Sequence, residues 1–204
     1  PQQGITFLLL DMTTPGIRVE PIITIAGEHE VNQVFFDDVR VPKSGRLGEE
    51  DDGWTVAKYL LEFERGGGSS AGVEAALERV RIMAHAEPAG GGKRLAEDPA
   101  FSRKLSQTYI ALAGGENPGP ASSMLKTART EILQQVDTLG IEAAGIYAGV
   151  EQMAARQPGA NIEPIGPAHS LTAMPRYLNN RAATIYGGSN EVQRNVMAKL
   201  LLRL

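Results

Sequence analysis

Up to about residue 50 the hydrophobic positions come in short, dense runs; beyond it they recur every three or four residues. In the first part, "GITFLLLDM", "GIRVEPII" and "VNQVFFDDVRVP" are rich in β-branched and aromatic side chains. They are divided by "TTPG" and "AGEHE", so they read as strands and turns. Pro15-Gly16 suits the centre of a tight reversal, because proline presets the first φ and glycine accepts a positive φ at the second. Three strands cannot bury a sheet face unaided, so this part is expected to belong to a larger sheet.

After "LGEEDDGW" the period becomes helical. Val56, Tyr59, Leu60 and Phe63, then Val73, Leu77 and Val80, mark one long helix from Asp52 to about His85, with Asp51 or Asp52 as its cap. Pro88 and Gly90, Gly91 and Gly92 end it. Asp98-Pro99 opens a second helix reaching about Leu112, and a third runs from about Ala121 to Met153. A shorter piece spans Leu171 to Thr184. The last helix follows Gly187-Gly188 to the chain end, with Val192, Val196, Leu200 and Leu204 as a stripe against other helices. The pattern predicts a mainly α fold, an antiparallel bundle over 51–204 preceded by strands over 1–50.

Composition narrows the function classes. The chain has 204 residues, 42% of them hydrophobic, enough for a real core. Twenty lysines and arginines against 24 acids give a dispersed net charge of -4, with no basic block for nucleic acid. There is no cysteine, and His29, His85 and His169 lie in separate segments, so no metal site is expected. No run approaches the roughly 20 apolar residues of a membrane span and no signal peptide is visible, so a soluble, cytoplasmic protein is expected. "GGGKR" lacks the phosphate-loop glycine, where Glu87 stands, and the serine or threonine, where Arg94 stands.

Two stretches break the helical rules. In "LLEFERGGGSSAGVEAA" three successive glycines each cost a helix interior roughly 1 kcal/mol relative to alanine, which points to a tight helix crossing or to a ligand. Glu64 shares a face with Leu60, Leu61, Gly67 and Gly68; a partly desolvated carboxylate there has a pKa raised toward the range of a general base. In "RAATIYGGSNEVQRNVMAKLLL", Ser189 or Gly188 caps the final helix, whose first N–H groups face whatever precedes them. Gly187-Gly188 either lets an electron-rich ligand approach the backbone or is an ordinary hinge.

"IYGGSNEVQRNVMAKLLL" resembles the carboxy-terminal signature of the acyl-CoA dehydrogenase family. "VNQVFFDDVRVPKSGRLGEEDDGW" is similar to that family's strand leading into its helical domain, and "LLEFERGG" to the first helix of that domain. The three blocks match in order over essentially all of the chain. The resemblance implies the last strands of a middle β-barrel domain (1–50) followed by the C-terminal four-helix bundle (51–204). It also implies FAD, an acyl-CoA substrate, an electron-transfer flavoprotein or similar acceptor, and a homodimer, homotetramer or heteromeric assembly.

The family's chemistry removes an α-proton with a base while the β-hydrogen leaves as hydride to the flavin. Many members carry the base as a glutamate directly after the terminal tyrosine, where Gly187 stands here. In isovaleryl- and long-chain-type members it is a glutamate followed by arginine on the first bundle helix, as in "FERGG", which makes Glu64 the implied base. Arg65, Tyr186, Gly187 and Gly188 are then implied to line the substrate. Ser189 and Glu191 match FAD contacts, and Glu142 and Gly145 match positions that reach the FAD of another subunit. The arginine and phenylalanine-glycine FAD pattern of many relatives is absent from "DPAFSRKLSQTYIALAGGE". A non-catalytic or half-site subunit, an acyl-CoA oxidase or nitroalkane-type flavoenzyme, and a non-enzymatic helical interaction module are the alternatives.

Overall fold

The computed structural model describes residues 2–64, 70–114 and 122–203, with the backbone alone for residues 62–64. The described residues fall into two compact units. One holds the chain up to Thr24 together with Glu28 to Glu64; the other holds Ile25, Ala26 and Gly27 with everything from Ser70 onward.

In the first unit, β1 (Phe7–Leu8) pairs antiparallel with β4 (Arg46–Leu47), and β2 (Ile17–Ile23) pairs with β3 (His29–Phe36). The Pro15-Gly16 reversal forms as expected: the Ile17 N–H donates to the Thr14 carbonyl (3.1 Å), and Gly16 has φ +95°. The strands on either side of it do not pair with each other. "DVRVP" is not strand, since β3 ends at Phe36 and Asp38 turns to φ +46°. Helix α1 (Gly53–Glu64) closes the unit.

The second unit makes the chain mainly α and is an antiparallel four-helix bundle. Its members are α2 (Ala71–Ala86), α3 (Pro99–Gly114), α4 (Ser122–Ala144) and a carboxy-terminal run holding α6 (Ala173–Asn179) and α7 (Asn190–Met197). Helix α4 lies against all the others. The predicted helix from Asp52 to His85 is described as two helices, α1 and α2. Its glycine run falls mostly on residues 65–69, outside the described residues.

Val73, Ala76, Leu77, Val80, Met83 and Ala84 of α2 meet Phe101, Leu105 and Leu112 of α3 and Ile132, Val136, Leu139 and Ala143 of α4. The three- and four-residue spacing that predicted these helices is the spacing of their buried face. Crossed pairs set the directions. Lys104, early in α3, holds Glu142, late in α4, while Tyr109 of α3 reaches back to Glu78 of α2.

Local chemistry sets the boundaries. Asp98 Oδ1 accepts from the amides of Ala100 (3.0 Å) and Phe101 (2.9 Å), and Pro99 fills the first helical position, where an N–H is not needed. Gly145, at φ +56°, ends α4 well short of the expected Met153. A 3-10 segment follows (Gly145–Gly149), then the short α5 (Met153–Arg156). Where only a break was expected after α2, Gly90, Gly91 and Gly92 all take positive φ and fold a small hairpin of β5 (Pro88–Gly90) and β6 (Lys93–Arg94). Arg94 then donates to the Ala86 carbonyl (2.8 Å) at the end of α2. No described helix is long and apolar enough to cross a membrane.

Leu77 is wholly enclosed, at 0% exposure. In the full-length protein we predict that Leu77→Ala costs about 2–5 kcal/mol by denaturant unfolding, the transfer loss plus a cavity. Ile110→Ala, at a site 72% exposed, is expected to stay within about 0.5 kcal/mol of wild type. Equal effects at the two positions would contradict the assigned core.

Candidate active site

The chain approaches the glycine turn under tight control. Arg181 donates through Nε to the Tyr177 carbonyl (3.0 Å) and through Nη2 to the Gln134 carbonyl of α4 (3.2 Å), with its guanidinium over the Tyr177 ring. Gln134 answers with its amide to the Asn180 carbonyl (3.0 Å). Beyond this anchor Ile185 and Tyr186 are exposed, Tyr186 at 59%. Gly187 and Gly188 follow at φ +65° and +84°, a region costly to residues with a Cβ.

A Cβ on Gly187 would meet nothing within 4 Å, so the backbone there fronts open space; one on Gly188 would strike Gln193 Nε2 at 2.3 Å. Ser189 caps α7 as expected, its hydroxyl accepting from the Val192 amide (3.4 Å). The Glu191 carboxyl is held below the usual carboxylate range by its own amide and then by the Ser189 hydroxyl, with Arg194 and Lys126 adding to the effect.

The residue that fixes this segment is one the sequence reading passed over. Asn190 is 2% exposed. Its Oδ1 accepts from Lys126 Nζ (2.8 Å), and its amide donates to Thr130 Oγ1 (3.1 Å) and Glu131 Oε1 (3.4 Å), all on α4. Glu131 also pairs with Arg194. Burial pushes the Lys126 amine below its ordinary value, with Glu191 pulling the other way. This polar face displaces part of the expected apolar stripe: Val192 is 53% and Leu200 68% exposed, Val196 is half-buried, and Leu204 lies outside the described residues. Helix α7 ends at Met197, and the π-helical turn Ala198–Leu202 breaks the spacing of four.

Tyr186, Gly187, Gly188, Ser189 and Glu191 thus share one turn against the amino-terminal half of α4. Glu142 and Gly145 do not join them. Glu142 lies eleven residues beyond Glu131 on α4, roughly 16 Å along the axis, and both of its carboxylate oxygens accept from Lys104 Nζ at 2.9 Å. The two groups of expected cofactor contacts therefore stand apart on this helix. The Glu64 side chain and Arg65 lie outside the described residues; only the backbone of Glu64, the last residue of α1, is described. Among the described residues no group of three acids or histidines stands ready for a metal.

A second feature, also unread from the sequence, lies between α2, α4 and α6. A cleft of about 180 Å³ is lined by Arg79, Met83, Asp137, His169 and Arg176 among others. Asp137 is buried, and that burial raises its carboxyl above the ordinary range, against the Asn180 amide (2.8 Å) and the charges of Arg181, Arg176 and Arg79. At the rim His169 Nε2 bonds Glu87 (2.5 Å).

The helical bundle is that of the C-terminal domain of acyl-CoA dehydrogenases. The family model described as acyl-CoA dehydrogenase, C-terminal domain, matches residues 51–202, and the chain belongs to the acyl-CoA dehydrogenase family. It is 32% identical over 203 residues to acyl-CoA dehydrogenase IpdE1 of Mycolicibacterium smegmatis, covering 98% of this chain and 49% of that protein. It is 31% identical over 204 residues to IpdE1 of Mycobacterium tuberculosis, covering 98% and 51%. Among solved structures, a chain of the ChsE4-ChsE5 complex from Mycobacterium tuberculosis matches with TM-score 0.77 at 28% identity, over 98% of this chain and 52% of that one. The chain spans about half the length of these relatives.

Gly187→Ala is expected to cost about 1–2 kcal/mol of stability, the left-handed backbone alone. Gly188→Ala should cost about the same, because the atom its Cβ would meet is the movable end of the Gln193 side chain; a cost well above that of Gly187→Ala would contradict this.

For Asp137, a folded pKa raised above the unfolded value of about 4 means that the folded state holds the proton more tightly. Its contribution is therefore complete below that pH and lost as pH rises through the folded pKa. Thermal unfolding of wild type and Asp137→Asn between pH 4 and 8 should show the difference moving in favour of the variant. A constant difference would refute the assignment.

Proposed function

We propose that the full-length protein is an FAD-dependent acyl-CoA dehydrogenase that uses Glu64 as its base. The observation that carries this reading is the turn at residues 186–189. Two positive-φ glycines, one fronting open space, lead into a capped helix start in a chain of the acyl-CoA dehydrogenase family. The bare backbone of Gly187 and Gly188 suits a flat aromatic ring system laid close to the main chain, and the α7 amides suit its electron-rich edge.

In this proposal Glu64 accepts the α-proton of the thioester, the step a positioned carboxylate assists. Gly187 leaves vacant the position where other members carry their carboxylate, so that the two possible bases do not compete. Tyr186, Gly188 and Arg65 border the acyl-CoA, and Ser189 and Glu191 hold the cofactor edge. Bound FAD would supply the acceptor for the β-hydride, with the electrons passing on to an electron-transfer flavoprotein or similar acceptor. Glu142 and Gly145, at the far end of α4, serve the cofactor of a second subunit, which makes the protein an oligomer.

Residues 1–50 are the closing strands of a larger β domain. Val19, Ile22, Val31 and Phe36 on the two-stranded ladder are exposed, and a lone hairpin is marginal in water. The reading carries a cytoplasmic location with it.

A second reading, one subunit of a heteromeric enzyme with an incomplete flavin site, is favoured by the likeness to a chain of the ChsE4-ChsE5 complex and by the commitment of Glu142 to Lys104.

The test is Glu64→Gln in the full-length protein. It is expected to retain flavin and slow acyl-CoA-dependent bleaching by about 100-fold or more, the range of general-base contributions. Bleaching at the wild-type rate would remove Glu64 from its role.

A further inference from the structure

Helix α7 has little apolar surface with which to hold its orientation. It spans eight residues, Val192 is exposed, and its capping bond is long at 3.4 Å. The turn before it has no side chains of its own to lock it, since Gly187 and Gly188 are bare. Its orientation is therefore imposed from both sides by α4: upstream through Gln134 and Arg181, downstream through Asn190.

The downstream tie is the more directed. An apolar side chain would fill the Asn190 position without burying an amide. The amide is instead buried with bonds to Lys126, Thr130 and Glu131, on consecutive turns of α4. Bonds of fixed direction to three residues define both the rotation and the register of α7, which contact with alkyl groups does not.

We propose that Asn190 is a positioning residue that sets the backbone of residues 187–189 against α4 and thereby controls how the flavin is held. This rests on the functional reading above. Asn190 itself points into α4 and away from solvent, so it acts through the turn and not on the substrate. Lys126, whose ammonium donates to Asn190 Oδ1, is its principal support.

The experiment compares Asn190→Ala, Asn190→Ser and Lys126→Gln with Val80→Ala in the full-length protein. Val80→Ala loosens the same bundle core at α2 without touching the turn. For each variant the melting temperature, the FAD dissociation constant from titration of the apoprotein, and the flavin midpoint potential are measured.

Asn190→Ala is expected to raise the FAD dissociation constant about tenfold or more, equivalent to about 1.4 kcal/mol, and to shift the potential. Val80→Ala should lower the melting temperature and leave both flavin readouts at wild-type values. Asn190→Ser should fall between. Lys126→Gln, which leaves the Asn190 amide in place and provides the test should Asn190→Ala not fold, should raise the constant by roughly threefold, the net worth of one part-buried hydrogen bond.

If the Asn190 and Lys126 variants lose stability but bind flavin at the wild-type constant and potential, Asn190 is structural only and the inference fails alone. If wild type binds no flavin, the functional reading fails and takes the inference with it.

Discussion

A buried polar group must find a partner inside the protein or cost the fold its full desolvation, and α4 is where this constraint falls hardest here. Surrounded by the other helices, it carries Lys126, Thr130, Gln134 and Asp137 toward the carboxy-terminal segment, and each is answered from residues 180–190. The answering groups appear in reverse order, Asn190 opposite Lys126 and Thr130, then Asn180 opposite Gln134 and Asp137. That reversed ladder makes the last run antiparallel to α4 and fixes its register. The apolar core of α2, α3 and α4 supplies cohesion, but nothing in a set of leucines and valines would hold a glycine turn at one place along the helix.

The same arrangement separates the two groups of proposed cofactor contacts. The turn at residues 186–189 sits against the amino-terminal half of α4, while Glu142 and Gly145 stand at its other end, roughly 16 Å along the axis from Glu131. In the proposed reading the second group serves the cofactor of another subunit, so that assembly and flavin binding become one problem. Lys104 complicates it: with both Glu142 oxygens engaged, that carboxylate has to leave its ion pair to meet a cofactor.

How much of this was legible in the sequence depends on the range of the interaction. Signals confined to neighbouring residues read well: Asp98-Pro99 as a helix start, Pro15-Gly16 as a turn, Ser189 as a cap, and the spacing of Leu77 and Val80 as a buried face. The end of α4 was misplaced because Gly145 followed by Ile146 and Tyr147 still looks helical by period; the positive φ that stops the helix belongs to the glycine alone. The β5–β6 hairpin was hidden for a similar reason, three glycines reading as a simple break. Asn190 and Asp137 were missed altogether. A polar residue in the first turn of a helix, or one beside a buried valine, ordinarily faces water, and only the partners some 40 to 60 residues distant reverse that expectation. The expected stripe failed at Val192 and Leu200 by the same cause, since the polar anchor chose the inward face of α7. The conformation of the glycine turn was readable, since two adjacent glycines before a serine cap suit a positive-φ approach to a helix start; only the family resemblance attached a ligand to it.

The most direct measurement is the visible spectrum of the full-length protein, recorded anaerobically before and after addition of straight, branched and bulky acyl-CoA thioesters. The account predicts oxidised-flavin bands in the purified protein that bleach with at least one thioester. A protein without flavin, or one whose flavin stays oxidised with every thioester, would contradict it.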